Sequence, residues 1–270
     1  MSWYMQVHLV TDGEDPEYGR LFGQGANYLS TKCDTKGAIW KREMCTVQAI
    51  FNLYVSKLGH FKWFCLVQDN TYVNVPMLVH TLRRYNYHES WYLGRRPVYS
   101  LQPMRSDYNK DNITFQYATE NSGICISKAL VKEMIAFWDK NGYLKRGRET
   151  NISGDITIGY VINYLLKVPV TNIPEFHSNL EPMWEIDQRD IPKQVTISWG
   201  ELPIARHFIT PNTILLSRKT LQYPKTVDPS RVYTLHCYLF PNSEGCDRIK
   251  AKLGPPSAVI AKSAVPVRLV

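Results

Sequence analysis

Residues 61–85 read FKWFCLVQDNTYVNVPMLVHTLRRY, and this stretch decides the predicted fold. Phe61 to Val67 is a nearly continuous apolar run of strand length, which is typical of a strand buried on both faces of a parallel sheet. The polar corner Gln68-Asp69-Asn70 follows it, and Val75 to Tyr85 has helical spacing, with Pro76 where it suits a first turn. This order predicts a βα unit. Because ligands collect at the carboxyl ends of strands in open α/β sheets, we expect the corner to lie at a binding site.

The segments on either side continue the same alternation of strand and helix. Gln6 to Thr11 alternates as a strand does, and Cys45 to Leu58 has the spacing of an amphipathic helix. Ala129 to Trp138 predicts another helix, and Asp155 to Val168 a longer, largely buried one. Beyond residue 205 the pattern indicates Pro-rich loops and short strands. The chain is therefore predicted to be an α/β protein.

Length and composition indicate an ordinary folded protein. With 270 residues, 44% of them hydrophobic, the chain can form one large α/β domain or two small ones, and we favour one. The net charge of +8 would suit a polyanion, but the basic residues are scattered in short clusters without a nucleic-acid-binding motif. We therefore predict a solvated basic surface and no nucleic-acid partner, with attraction for diphosphates or acidic glycans as the alternative.

The six cysteines point to a secretory compartment. None is in a C-x-x-C pair, and the closest two are Cys237 and Cys246, so an even count without metal spacing indicates disulfides. The sequons at Asn112 and Asn151 agree with a lumenal location. The sequence has no apolar run of membrane-spanning length and no N-terminal signal. Either an anchor lay upstream of this chain, or the inferred compartment is wrong.

Asp155 admits two interpretations from its neighbours alone. Ser153-Gly154-Asp155 resembles the start of a helix, where a carboxylate favourably meets the positive end of the helix dipole. The structural interpretation is an N-terminal cap, and the functional one is a catalytic carboxylate. Both stay open at this point, and one side chain can serve both roles.

Several blocks, in the same order, resemble the fringe family of glycosyltransferases, which elongate O-linked fucose on epidermal-growth-factor-like (EGF-like) repeats of Notch-type receptors. The resemblance spans roughly residues 7 to 248, and its last block is the most specific to the family. The blocks are Thr11-Asp12-Gly13-Glu14-Asp15, Trp63-Phe64-Cys65 to Tyr72-Val73-Asn74, Ala118-Thr119 with Gly123-Ile124-Cys125-Ile126-Ser127, Asp155-Ile156-Thr157-Ile158-Gly159-Tyr160, Phe176-His177-Ser178, Gln194-Val195-Thr196-Ile197-Ser198, Asp228-Pro229-Ser230-Arg231 and Leu235-His236-Cys237 to Cys246.

The resemblance implies an architecture and a cellular setting. The fold would be GT-A-like, with a Rossmann-type open, mostly parallel sheet flanked by helices. Residues 1–270 would form a single domain, with 249–270 as a C-terminal tail. The chain starts at what looks like the family's second strand, so we expect the first strand and helix to be missing, as in a truncated product. The full-length protein would be a type II membrane protein of the Golgi lumen, and this chain carries no anchor.

The resemblance also implies a disulfide map and a metal site. The pairs would be Cys33–Cys45, Cys65–Cys125 and Cys237–Cys246. The family's Mn²⁺ ligands, an aspartate and a histidine, fall on Asn70 and Asn179 in this chain. Because an amide replaces a charged and a nitrogen ligand, metal binding is expected to be weak or absent, with Asp69 and His177 as possible substitutes.

The same resemblance assigns the remaining functional residues. Asp155 matches the family's general base, which deprotonates the sugar hydroxyl that attacks the donor. Asp12, Asp69 and Asn70 are expected on the donor side of the site. The family's glycine-rich turn, against which the donor sugar rests, is replaced by Glu120-Asn121-Ser122-Gly123. We expect the two bulky polar residues to narrow the pocket or change the preferred sugar, and Glu120 to repel a phosphate.

Two functions follow from these residues. The first is an inverting transferase that moves N-acetylglucosamine from UDP-GlcNAc in β-1,3 linkage to O-linked fucose. The second is a catalytically impaired protein that keeps the fold as a glycan-binding or receptor-binding module. The altered metal positions and the filled glycine turn are the reasons for the second.

Overall fold

We analysed a computed structural model of the whole chain. It describes residues 5–11, 13, 16–21, 27–31, 33, 39–97, 104–105, 112–138, 142–143, 146, 154–205, 208–217 and 220–258. All structural statements below refer to these residues. Asp12 and the second sequon at Asn151 lie outside them.

The described chain is a mixture of helices and short strands. The helices are α1 (Pro16–Leu21), α2 (Ile39–Ser56), α3 (Val75–Leu82), α4 (Lys128–Trp138), α5 (Gly154–Gly159), α6 (Val232–Leu239) and α7 (Glu244–Leu253). The strands are β1 (His8–Thr11), β2 (Asn27–Ser30), β3 (Trp63–Leu66), β4 (Thr71–Val73), β5 (Tyr92–Gly94), β6 (Met104–Arg105), β7 (Asn112–Ile113), β8 (Ile124–Ser127), β9 (Val170–Asn172), β10 (Thr196–Ser198), β11 (Gly200–Ala205), β12 (Phe208–Asn212), β13 (Leu221–Gln222) and β14 (Ser257–Ala258). The α/β class predicted from the sequence is therefore correct.

The largest described sheet has the strand order β3-β8-β5-β9. The β3–β8 and β8–β5 pairings are antiparallel, and only β5–β9 is parallel. Of the eight pairings in the described residues, two are parallel, so the expectation of a mostly parallel sheet is wrong for this part of the chain. The apolar run at β3 indicates burial on both faces of the strand. Burial does not determine whether the neighbouring strand is parallel or antiparallel, so the parallel pairing was wrongly inferred from it.

Both faces of this sheet are covered, as alternation along β5 demonstrates. Tyr92 packs into one core cluster with α2, α4 and α5, and the adjacent Leu93 packs into a second cluster with α3. Neighbouring residues of a strand point to opposite faces, so the two clusters lie on opposite sides of the sheet. In the first cluster Trp138 stacks on Phe51, with ring centroids 4.5 Å apart, which ties α4 to α2.

Strand β1 forms a separate parallel pair with β2. Within the described residues β1 pairs only with β2, and β3 pairs only with β8. Helix α2 contacts β1 and also packs Tyr54 against Phe64 of β3, with ring centroids 4.9 Å apart. One helix therefore covers both the two-stranded and the four-stranded sheet.

The helices confirm most of the sequence pattern. Helix α3 begins as expected, with Pro in its first turn and the side chain of Asn74 accepting a hydrogen bond from the Met77 N–H. The long helix predicted from Asp155 is α-helical only through Gly159 and continues as a π-helix, Tyr160–Leu165. Two helices, α6 and α7, lie beyond residue 205, where loops and strands were predicted. Residues 249–258 continue α7 and form β14, although they lie beyond the family resemblance.

Three disulfides staple the described elements. They join Cys33 to Cys45, Cys65 to Cys125 and Cys237 to Cys246, the pairs that the family resemblance implies. Cys65 and Cys125 lie opposite each other in the β3–β8 register, so this bond links the outer strand β3 to its neighbour β8. The described residues contain no free cysteine.

Candidate functional site

A cavity of about 880 Å³ opens between the end of β3, the start of α2 and the start of α5. Its size is that of a small-molecule site. The predicted residues Asp155, Glu120 and Asn121 line it, together with Gln68 of the polar corner. Gln68 and Asp155 come from distant parts of the sequence, and the fold brings them to one cavity, whereas the predicted corner residues Asp69 and Asn70 are not among its lining residues.

Asp155 occupies the second position of α5 and is largely buried. Its Oδ2 atom accepts a hydrogen bond of 3.0 Å from the Glu120 N–H. Gly154, at φ +60°, turns the chain into the helix, and its carbonyl accepts a hydrogen bond from the buried Tyr143 hydroxyl. Burial raises the pKa of Asp155 to about 6, although hydrogen bonds from the Glu120 and Ile156 N–H groups act to lower it. The hydrogen bonds hold this carboxylate in place, and its raised pKa lies near neutral pH, which suits a general base.

Two further carboxylates, Glu43 and Glu120, share the cavity with Asp155, and we call these three residues the carboxylate face. A Cβ atom built on Gly154 would lie 3.4 Å from Glu43 Oε2 and 4.0 Å from Glu120 Oε2, so both side chains reach the backbone beside Asp155. Burial, followed by the charges of Asp155 and Glu43, raises the pKa of Glu120 to about 7. Among the lining residues that the structure describes, none is Lys, Arg or His.

Three asparagines, Asn70, Asn121 and Asn179, include one that lines the cavity, Asn121, and we call the three the amide face. Asn70 Nδ2 donates to the Trp199 carbonyl at 2.9 Å, and Asn121 Nδ2 donates to Asn179 Oδ1 at 2.5 Å. The Asn121 carbonyl in turn accepts a hydrogen bond of 2.9 Å from the Thr71 hydroxyl. These amides are used to join β4, the turn after Thr119 and the loop before β10.

His177 is also engaged on both ring nitrogens. Its Nε2–H donates to Gln194 Oε1 at 2.9 Å, and Nδ1 lies 3.7 Å from Glu181 Oε2. Arg95 Nη2 pairs with the same Glu181 oxygen at 2.6 Å. Burial acts to raise the pKa of Glu181, but the hydrogen bond from His177 and the charge of Arg95 outweigh it, and the pKa is lowered. This network holds the loop that carries Asn179.

The other predicted positions differ in where the structure places them. Asp69 is exposed and does not line the cavity, unlike its neighbour Gln68. Ser122 is buried, and its hydroxyl donates to the Thr119 carbonyl at 2.7 Å. Gly123 has φ +89° and packs against Phe176, which is a conformation that suits glycine. Asn112 of the first sequon lies in β7.

Sequence reasoning missed several residues that line the cavity or support the loops beside it. Glu43 belongs to α2, whose amphipathic pattern indicated only packing, and Tyr117 lies in an irregular segment before the glycine-turn position. Tyr117 lies within the electrostatic influence of Asp155, since burial and the charge of Asp155 together raise the pKa of Tyr117. Asn212 is fully buried, and its Nδ2 lies 2.7 Å from both the Asn179 and the Glu181 carbonyl oxygens. Only the tertiary contacts reveal these positions.

The described residues contain neither a membrane-spanning helix nor a cluster of metal-binding side chains. No described helix combines the length and the apolarity that crossing a membrane requires. Within the same residues, no three His, Cys, Asp or Glu side chains are grouped so that they could hold a metal ion.

The chain was then compared with known proteins. A family model described as Fringe-like matches residues 3–243. The chain is 33% identical over 254 residues to the Fringe glycosyltransferase of Drosophila melanogaster, which covers 91% of this chain and 58% of that protein. It is 32% identical over 247 residues to the β-1,3-N-acetylglucosaminyltransferase lunatic fringe of Xenopus laevis, covering 89% and 61%. For radical fringe of Notophthalmus viridescens the identity is 29% over 252 residues, covering 92% and 60%.

These alignments cover most of the chain but only part of each relative. The chain spans 58% to 61% of the length of these three proteins.

Proposed function

This chain belongs to the fringe family, and from that premise we propose that it transfers N-acetylglucosamine from UDP-GlcNAc in β-1,3 linkage to O-linked fucose. The observation that carries the proposal is the position of Asp155: a fixed, largely buried carboxylate at the wall of an 880 Å³ cavity. The relatives named as β-1,3-N-acetylglucosaminyltransferases support the reaction.

The proposed step needs one base and one leaving group. Asp155 takes the proton from the attacking hydroxyl of fucose as that oxygen forms a bond to C1 of the donor sugar. The bond between C1 and the diphosphate oxygen breaks at the same time, and UDP leaves with the electron pair. With its pKa raised to about 6, Asp155 is mostly ionised near neutral pH and is therefore ready to accept the proton.

The proposed architecture is a single GT-A-like domain over residues 1–270. The two-sided core and the cavity beside the end of β3 support it. The described β1–β2 pair and the four-stranded sheet are not hydrogen-bonded to each other, and α2 covers both.

Manganese is the metal that the resemblance implies, but the described residues at its ligand positions do not fit it. Asn179 Oδ1 accepts the hydrogen bond from Asn121, and the Asn70 amide donates to Trp199. The two ring nitrogens of His177 face Gln194 and Glu181, and Asp69 is a single exposed carboxylate. Neutral amides offset little of the cost of dehydrating Mn²⁺. We therefore propose weak or no metal binding and assign no catalytic step to a metal.

The proposed partners are a UDP-sugar donor and O-fucosylated EGF-like repeats of a Notch-type receptor. The proposed location is the Golgi lumen, and the three disulfides support a compartment that allows oxidation of cysteines. Any attachment to the membrane would be through an anchor, as the resemblance implies. Glycosylation at Asn112 and Asn151 also remains a proposal.

The alternative, a binding module without catalytic activity, has less support. Loss of activity would explain the replaced metal positions, but it does not explain a carboxylate whose pKa is raised and whose orientation is fixed at a large cavity. Buried ionisable groups of this kind concentrate at functional sites. The named relatives are enzymes, which also favours the first function.

The test is an assay of sugar transfer to an O-fucosylated EGF-like peptide. Purified protein is given UDP-GlcNAc, once with Mn²⁺ and once with EDTA, and the product is detected by mass spectrometry. We expect a gain of one N-acetylhexosamine in both conditions. A peptide without fucose is the control for the acceptor. Absence of product in both conditions, together with no UDP-induced change in the thermal unfolding midpoint, would contradict the proposal.

A further inference from the structure

Glu120 lines this cavity, and the proposed reaction assigns no role to its side chain. It opens a short 3₁₀ turn, Glu120–Ser122, that leads into β8. Its backbone N–H donates to Asp155 Oδ2 at 3.0 Å, and its side chain lines the cavity. The backbone of Glu120 is therefore hydrogen-bonded to the proposed catalytic base, and its side chain begins beside that base.

The carboxyl group of Glu120 lies close to the backbone beside Asp155, where the reaction is proposed to occur. Its Oε2 lies 4.0 Å from the point at which a Cβ on Gly154 would stand, and Glu43 Oε2 lies 3.4 Å from that point. Asp155 is the next residue. Glu120 and Glu43 therefore flank the same short stretch of backbone, from which Asp155 also projects.

The hydrogen-bonding capacity of Glu120 exceeds what its described neighbours use. A carboxylate offers two oxygens with about four acceptor sites. The side chain of Gln68 supplies one hydrogen bond, and the nearest charges, Asp155 and Glu43, are of the same sign. Burial without an opposite charge is costly, and a ligand that brings several O–H and N–H donors would relieve that cost. A sugar ring is such a ligand, whereas a diphosphate brings only acceptors and negative charge.

We propose that Glu120 is a specificity-determining residue that recognises the donor sugar, accepting a hydrogen bond from a hydroxyl or amide N–H of the ring beside Asp155. This inference rests on the proposed function and names a contact within its site. It has an opposite consequence for the nucleotide alone. UDP meets the repulsion of Glu120 without gaining the hydrogen bond, so the protein should bind UDP more weakly than UDP-GlcNAc.

The test compares two ligands on two matched variants. UDP and UDP-GlcNAc are titrated by calorimetry into the full chain, into Glu120→Ala and into Glu43→Ala. Each variant removes one glutamate carboxylate from the carboxylate face. We expect Glu120→Ala to tighten UDP binding but weaken UDP-GlcNAc binding. The dissociation constant of UDP divided by that of UDP-GlcNAc should fall about tenfold or more. Glu43→Ala should change both affinities by a similar factor.

Different failures are distinguishable. If Glu120→Ala and Glu43→Ala shift both ligands alike, Glu120 acts only through its charge and the inference is overturned. If the unsubstituted chain binds neither ligand, the proposed function itself fails. Should Glu120→Ala not fold, Glu120→Met keeps the length of the side chain and removes both the charge and the acceptor oxygens. Its preference for UDP-GlcNAc over UDP should also fall, and an unchanged preference would overturn the inference.

Discussion

The carboxylate face and the amide face lie side by side but use their polar atoms in opposite ways. On the amide face, Asn121 and Asn179 bond to each other, and Asn70 bonds to a backbone carbonyl. On the carboxylate face, Glu43, Glu120 and Asp155 gather like charges, and burial raises two of their pKa values.

The difference separates structure from chemistry within one site. A polar group whose hydrogen bonds are filled by the protein stabilises the fold and has little left for a ligand. A buried carboxylate near like charges lowers stability, and such groups concentrate at sites of binding or catalysis. We therefore expect substitutions on the carboxylate face to change activity and those on the amide face to change stability or metal response.

The largest expected effect is on the base. Asp155→Asn removes the proton acceptor while keeping shape, so sugar transfer should fall by about 10² to 10⁴-fold. UDP binding, measured by calorimetry, should remain. Asp190→Asn, which changes an exposed carboxylate paired with Lys193, is the matched control and should transfer at the normal rate. Unchanged transfer by Asp155→Asn would refute the assignment of the base.

The next effect is a pH dependence of stability that Glu120 supplies. Its pKa is raised from 4.5 to about 7 in the folded protein, so the folded state holds a proton that the unfolded chain has lost between these values. The free energy of unfolding should therefore fall as pH rises through this window, by up to about 3 kcal/mol from this group. Urea unfolding across the window measures it.

The variant Glu120→Gln sharpens this second test. Because glutamine does not titrate, the fall in the free energy of unfolding should become shallower, and the remaining slope should lie lower, where Asp155 titrates at about 6. Equal slopes for the variant and the original chain would show that Glu120 is not perturbed by its neighbours. Glu244→Gln, an exposed carboxylate paired with Arg248, serves as the control.

A smaller effect is expected where the loop behind the amide face is held. Arg95→Ala leaves the buried carboxylate of Glu181 without the guanidinium, so the free energy of unfolding should fall by roughly 1 to 3 kcal/mol. The double variant Arg95→Ala with Glu181→Gln should recover part of that loss, because no charge is left unpaired. If the double variant is as unstable as the sum of the single variants, the pair is not coupled.

The smallest effect tests the amide face itself. The double variant Asn70→Asp with Asn179→His supplies a carboxylate and an imidazole in place of the two amides, at the cost of their hydrogen bonds. Mn²⁺ at about ten times its dissociation constant should then stabilise the variant by about 1.4 kcal/mol in thermal unfolding, and leave the original chain unchanged. Equal Mn²⁺ stabilisation of both proteins would show that the amides do not prevent metal binding.

The sequence located the elements of the fold better than their arrangement. The spacing at Val75 and the turn-favouring Pro76 predicted α3 because a helix start depends on local backbone chemistry. The apolar run at β3 predicted a buried strand but not its antiparallel pairing with β8, since that pairing is a contact between residues about 60 positions apart. Helices α6 and α7 were missed because the surrounding proline-rich segments obscured their short apolar patterns.

For the site, residue identity by itself determined the base candidate, the cysteine pairs implied by the family, and the amides in place of metal ligands. Each of these depends on which residue stands at a given position of a recognisable pattern. Only the tertiary structure brought Glu43 and Gln68 beside Asp155 and occupied the three asparagines with each other and with Trp199. Burial and proximity raise pKa values and fill hydrogen bonds, and both arise from segments distant in sequence, which no local pattern records.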